Sequence, residues 1–333
     1  MVKGRDEFFD FIKGYAIWVV AMGHTVQACV PDWSESALGR AIVMFHMPLF
    51  MVVSGYFFYP SVTRRACGEF IRGKFVHLYL PSLCWGVFSA LLIGGNKIMK
   101  GKELDPEYFV VLITTGLWFL TVLFMLSVTG ALIERFFKGK AVAAAWVVAY
   151  AVVYVTPPLP HNFLCMNELE FLLPFFCGGM VFRRFDWSKC PAWLFALSCA
   201  VFVYLLMDVY TFDCSVYKMD GATFTADYAW KTMVRIVSGA SGIVCSVYVC
   251  VWLYKARALR RPVIYIGMLT LPIYALHQKF LVPTRLFDYR TDNILLIFAV
   301  SIVIILLSVG TYKVLRNKYI RLLFFGERIE RAG

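Results

Sequence analysis

Charge is scarce in this chain. Only 16% of its 333 residues are Asp, Glu, Lys or Arg, acidic residues number 21, and there are five histidines. A soluble domain carries about 25% charged residues, so a solvated globular enzyme does not fit. Its ten cysteines include no Cys-x-x-Cys pair and no Cys/His pattern with metal-ligand spacing, which removes a zinc site, any other metal centre of that kind and a disulfide scaffold. Cys84, Cys177, Cys199, Cys245 and Cys250 fall inside apolar runs. A bridge among Cys29, Cys165 and Cys214 is the pairing left open. No internal repeat, no low-complexity linker and no stretch polar enough for a soluble domain is present, so one transmembrane domain over 1–333 without an appended soluble domain is expected. A cleavable signal peptide is also missing: the first apolar run has no small-x-small site after it, and Asp10 and Lys13 interrupt its start.

What is there instead is apolar. Hydrophobic residues make up 60% and aromatics 17% of the chain, and the mean hydropathy is +0.70. Runs of about 20 apolar residues recur, the length that crosses a bilayer as a helix. The expected fold is therefore all-α, a polytopic membrane helical bundle of about ten transmembrane helices. They fall at roughly 8–30, 40–59, 75–95, 112–134, 141–157, 169–183, 191–210, 231–254, 262–282 and 293–314. Pro48, Pro81 and Pro272 interrupt the second, third and ninth, Pro174 bends the short sixth, and Glu107 to Thr115 reads as an interfacial piece.

The formal charge of +12 would suit nucleic acid in a soluble protein. In a membrane protein, excess Lys and Arg marks cytoplasmic loops, and no nucleic-acid partner is expected. Alternate loops hold Lys3 and Arg5, the cluster from Arg64 to Lys74, Arg135 to Lys140, Arg183 to Lys189, Lys255 to Arg261, and the tail from Lys313. The opposite loops hold roughly half as many. Both termini are therefore expected in the cytoplasm.

The opening helix, "DFIKGYAIWVVAMGH" from Asp10 to His24, carries ionisable residues where lipid-compatible sequence is expected. Burying Lys or Asp at the centre of a membrane helix costs about 2.5–3.5 kcal/mol. Lys13 and His24 are separated by three helical turns, so they share one face about 16 Å apart along the axis. Asp10 lies one turn below Lys13, at pairing distance. A polar stripe of this kind faces a bundle interior or a water-filled path. The second helix, "FHMPLFMVVSGYFF" from Phe45 to Phe58, adds His46 near membrane depth and a Ser54-Gly55 step that permits close helix approach.

Taken together these two stretches resemble the membrane acyltransferase-3 family, integral-membrane O-acyltransferases that modify bacterial glycans. The family's first-helix motif, Arg or Lys, ten residues, then His, is matched by Lys13 and His24. Its second-helix pattern is matched by Pro48, Phe50, Ser54, Gly55 and Tyr56. "LWFLTVLF" with Trp118, "FLLPFFCGGMVF" from Phe171 and "IGMLTLPIYALH" ending in His277 resemble later family elements in the same order. One departure stands out. Where the family often has Arg-x-x-Arg before a proline, this chain reads Lys74-Phe-Val-His77 ahead of Pro81, with Arg72 nearby. Lys keeps the charge but lacks the bidentate fork.

The resemblance implies acetyl transfer from cytoplasmic acetyl-CoA to a hydroxyl of an envelope or surface glycan, or of a lipid-linked saccharide, in the bacterial inner membrane. Lys13, Arg72, Lys74 and His77 would meet the donor; His24 would be the catalytic base or, alternatively, an acyl-carrying nucleophile. Lys13 also counts as catalytic. Asp10, His46, Ser54, Tyr56, Trp118 and His277 would support the site or line the acceptor entrance. Aromatic residues Trp33, Tyr217, Tyr228 and Trp230 and acidic residues Glu168 and Glu170 are further acceptor-side candidates, the rings fitting an interfacial belt equally well. Acetyl-CoA, the glycan, the lipid bilayer and a second copy of the chain are the partners this reading allows. The competing reading is a transporter or flippase that uses Asp10, Lys13 and His24 as a polar relay.

Overall fold

The computed structural model describes residues 6–101, 103, 106–183, 185, 191–214 and 225–327; Lys3, Arg5 and Tyr217 lie outside them. Among the described residues there is no strand, and the protein is an all-α helical membrane bundle. Seven helices are long and apolar enough to cross a membrane: Ala37–Val62 (α2), Cys67–Met99 (α3), Trp118–Phe136 (α5), Asn162–Phe182, whose regular part is Leu169–Phe182 (α7), Ala192–Val209 (α8), Ala226–Leu253 (α9) and Ile294–Val314 (α13). The others are Glu7–Cys29 (α1), Pro106–Thr115 (α4), Lys140–Val155 (α6), Arg257–Met268 (α10), Thr270–Leu276 (α11), Val282–Leu286 (α12) and Lys318–Phe325 (α14). The polar residues of α1 keep it outside the most apolar group, although it is 23 residues long. The expected ninth helix is two: Leu269 leaves helical geometry at φ −104° and ψ 22° between α10 and α11, just ahead of Pro272, which has no N–H to carry a helix through.

The chain forms two compact units. The first holds 1–53, 181–215 and 229–314. Asp6 caps the N-terminus of α1 by accepting from the Phe8 and Phe9 amides. Small residues then bring α1 against α10. A β-carbon at Gly14 would stand 2.0 Å from the carbonyl oxygen of Val263, so this pair packs backbone on backbone. Such close approach through small residues is how helices associate without a hydrophobic driving force. On another face, Trp18 of α1 donates its indole N–H to Ser301 Oγ on α13 at 3.1 Å and packs edge-on against Phe298. Val19, Val26, Val30, Ile42 and Ile297 fill the core between α1, α2 and α13.

The second unit holds 54–180, 216–228 and 315–333. Gly55 of α2 meets the Phe176 carbonyl of α7, where a β-carbon would be 2.0 Å away. Gly86 of α3 and Gly116 touch in the same manner, and Ser82 links α3 to α5 by accepting from the Leu117 amide and pairing with Thr121 Oγ1. The expected interfacial piece is the helix α4. Tyr228 is buried, with its hydroxyl donating to the equally buried Glu170 carboxylate, rather than part of an exposed aromatic belt. Cys165 and Cys214 carry thiols, so no bridge joins any two of Cys29, Cys165 and Cys214.

Candidate functional site

In the first unit the polar stripe of α1 is assembled as its spacing requires. Asp10, only 3% exposed, pairs with Lys13 Nζ at 2.5 Å. The Asp10 carbonyl is covered by α10, because Gly267 leaves no side chain between them. Lys13 keeps 30% of its side chain exposed. The carboxylate thus holds the ammonium in one place while leaving part of it open to an anion.

Three turns on, His24 has a defined hydrogen-bonding state. Its Nδ1–H donates to Gln27 Oε1 at 2.7 Å on the next turn of α1. The Gln278 amide nitrogen lies over the ring, 3.1 Å from Nε2 and 3.5 Å from Nδ1. His277 lies beside it, ring centroids 5.0 Å apart and planes inclined by 41°. His277 is 1% exposed and donates Nδ1–H to the Ile273 carbonyl at 3.0 Å, while its Nε2 has no hydrogen-bond partner among the described residues.

His46 belongs to the same neighbourhood. Gly23 on α1 faces Ile42 on α2, where a β-carbon would be 2.8 Å from Cγ2. His46 sits one turn beyond Ile42 and donates Nδ1–H to that residue's carbonyl at 2.7 Å. Three of the five histidines thus gather around the C-terminal half of α1. Sequence reasoning had picked all three but missed Gln27 and Gln278. Gln27 was legible as an i, i+3 partner of His24; Gln278 follows His277 directly, but nothing local announces which helix it meets.

The residues of the second unit divide into those that present charge and those that hold structure. Lys74 Nζ lies 5.4 Å over the Phe70 ring, a cation–π arrangement. Arg65 adds a second cation, close enough for its charge to act on Lys74 and with its guanidinium beside Gly73. Arg65 was not anticipated, since it precedes the helix that carries Arg72 and Lys74. Arg72 is exposed on the same helix.

His77 is used differently. Pro81 cannot donate to the His77 carbonyl four residues back, and the backbone answers with a π-helical turn over Phe75–Tyr79, in which the Leu80 amide donates to Phe75. The tail helix α14 docks there. His77 Nδ1–H donates to the Gly326 carbonyl at 2.5 Å, and Trp85 donates to the Phe324 carbonyl at 2.9 Å. Gly326 is left-handed at φ 63°, and a β-carbon on it would be 2.7 Å from the His77 carbonyl oxygen. His77 thus docks the tail helix onto this turn.

Ser54 and Tyr56 flank the Gly55 contact, with the Tyr56 ring 5.1 Å from that of Phe57. Trp118 opens α5 and packs edge-on to Phe119. Nearby in sequence to α7, Glu168 is 2% exposed and accepts from Asn162 Nδ2 at 2.7 Å. Among the described residues no group of His, Cys, Asp and Glu is placed to hold a metal ion.

Comparison with known proteins gives the family. A family model described as an acyltransferase domain, of the acyltransferase-3 type, matches residues 6–313. Nodulation protein NolL of Mesorhizobium japonicum is 26% identical over 298 residues, covering 82% of this chain and 75% of that protein. Nodulation protein NolL of Sinorhizobium fredii is 27% identical over 198 residues, covering 55% of this chain and 50% of its own. No solved structure gives a significant match. The chain belongs to the acyltransferase-3 family and is a multi-pass membrane acyltransferase.

Proposed function

We propose that this protein is an inner-membrane O-acetyltransferase that moves an acetyl group from cytoplasmic acetyl-CoA to a hydroxyl of an envelope or surface glycan, with His24 as general base. The whole chain would act as one transmembrane acyltransferase domain with both termini in the cytoplasm, following the distribution of Lys and Arg. The observation that supports the reading is the setting of His24: oriented by Gln27 through Nδ1, beside the buried His277, three turns along α1 from the Asp10–Lys13 pair. A sugar alcohol is a poor nucleophile until a base accepts its proton, and a neutral imidazole suits that task near pH 7.

The step balances as follows. The acceptor O–H gives its proton to His24 Nε2 while its oxygen attacks the thioester carbonyl. The carbon–sulfur bond then breaks, and the imidazolium returns the proton to the leaving thiolate. Lys13, held by Asp10, would meet the phosphates of the donor from the cytoplasmic end of α1, and the extended pantetheine arm would cover the roughly 16 Å to His24. Arg72 and Lys74, with Arg65 beside Lys74, are further cations proposed for the donor. His77 contributes through the fold of its segment rather than as an anion ligand. His46, His277, Ser54, Tyr56 and Trp118 are assigned to the surroundings of the acyl and acceptor groups. Partners are then acetyl-CoA, the saccharide acceptor and the bilayer.

The test is transfer of labelled acetyl from acetyl-CoA to isolated envelope glycans by purified protein. His24→Ala is expected to elute as the wild type does on size exclusion and to lose transfer by at least about a hundredfold. Full transfer by that variant would overturn the assignment of the base.

A further inference from the structure

Within the first unit, α8 and α9 meet in an antiparallel seam. Phe195 of α8 stacks on Tyr248 of α9, ring centroids 4.0 Å apart and planes inclined by 11°. Two turns further along α8, Phe202 reaches Gly242 of α9, where a β-carbon would stand 2.9 Å from the ring. Between these two rungs Cys199 meets Cys245, sulfur to sulfur, at 3.4 Å. Both are half-buried thiols, about 10–12 Å along the helix axes from Ala192 and Leu253. Cysteine in an apolar helix ordinarily packs as a small hydrophobe; here each helix brings one to the same point. A disulfide closes at about 2.05 Å, so the sulfurs need to approach by roughly 1.4 Å. Packed helices make shifts of about 1–2 Å.

We propose that Cys199 and Cys245 form a redox couple at membrane depth, closed to a disulfide by a lipid-soluble quinone, and that closure slows transfer. Two S–H bonds break and one S–S bond forms; the quinone takes up the two electrons and two protons and leaves as the quinol. The class of oxidant follows from position. Trp193, Leu197, Val203 and Tyr204 of α8 are exposed, the apolar surface that a spanning helix turns to lipid, so the sulfurs are approached from the bilayer. A charged peptide disulfide such as oxidised glutathione stays in water, because charge is costly in hydrocarbon. The effect on transfer rests on the place given to His46 above. Gly242 lies one turn from Cys245, and a β-carbon on it would be 2.4 Å from Cβ of Phe45 on α2. With no slack between α9 and α2, drawing α9 toward α8 disturbs the seat of Phe45, and His46 is the next residue.

The test places the full chain in phospholipid vesicles and adds duroquinone, whose fully substituted ring cannot be alkylated by thiols. Mass spectrometry of the digested protein is expected to find the Cys199 and Cys245 peptides joined. Oxidised glutathione at equal concentration should join them far more slowly. Transfer by the joined protein should fall about tenfold, on the scale by which a small misplacement of active-site groups lowers a rate, and dithiothreitol should restore it. Cys199→Ser and Cys245→Ser should keep the wild-type rate and lose the response to quinone. If no joined peptide forms with duroquinone, the couple is overturned. Equal joining by glutathione would overturn the quinone as its oxidant, and a joined protein with undiminished transfer would overturn the control of activity. Joining is read from mass alone and should occur in His24→Ala as well. Retention of transfer by that variant overturns the base assignment and leaves the couple standing, so the two failures are distinguishable.

Discussion

The carbonyl oxygen of Asp10 and the α-carbon of Gly267 lie so close that a β-carbon on the glycine would fall 1.8 Å from that oxygen. The same glycine would meet the Gly14 amide nitrogen at 2.8 Å. Two backbones are therefore in contact where the polar stripe of α1 begins. Gly267→Ala must push α10 away from α1 and with it disturb the Asp10–Lys13 pair. Overpacking costs about 1–3 kcal/mol when side chains can yield, and here the obstacle is backbone. We expect a loss at or above that range in thermal unfolding, with transfer abolished. Gly310→Ala, which would meet nothing within 4 Å, is the control and should be neutral or slightly stabilising.

Removing one partner of the Asp10–Lys13 pair differs from removing both. Lys13→Met leaves the carboxylate of Asp10, 3% exposed, without its cation. A broken buried pair costs about 3–5 kcal/mol, and the 30% exposure of Lys13 places this one at or below the lower end. Asp10→Asn with Lys13→Met should recover much of the stability. If Lys13 meets the donor, the double variant stays inactive although it folds. Thermal midpoints measured beside acetyl transfer separate the two effects.

The tail offers a test that is independent of catalysis. His77→Ala removes the hydrogen bond to Gly326 and leaves that carbonyl to find another donor, a loss of about 1–3 kcal/mol. Gly326→Val adds a side chain where φ is 63° and the His77 carbonyl stands 2.7 Å from the first new carbon. Both variants should detach α14 and make residues after Val314 sensitive to limited proteolysis. His77→Arg, although it brings the segment nearer to the Arg-x-x-Arg pattern, should weaken docking and leave donor affinity no better.

Arg65 and Lys74 should act together on the donor. Each single change to alanine is expected to raise KM for acetyl-CoA by roughly tenfold, the loss of one charge-assisted contact, with a smaller effect on kcat. Lys74→Arg should keep most of the affinity. Unchanged KM in both alanine variants would remove them from donor binding.

Composition and spacing alone carried a good part of this protein. An apolar chain with little charge cannot dissolve as a globule, so membrane helices follow, and the separation of Lys13 and His24 by three turns places both on one face because helical geometry is local. The Asp10–Lys13 pair is legible for the same reason. The break at Leu269 was foreshadowed only by Pro272, and the union of His24, His277 and Gln278 was not written in either stretch, because 254 positions separate Gln278 from His24. That meeting depends on Gly14 and Gly267 letting α1 and α10 touch backbone to backbone, which aims the turn after α11 at the C-terminal half of α1. Likewise His77 reads as a weakened anion ligand in sequence, and only the docking of Gly326 onto a carbonyl released by Pro81 makes it a structural residue. Local periodicity determined the faces; close packing of backbones, which no local pattern encodes, decided which faces meet.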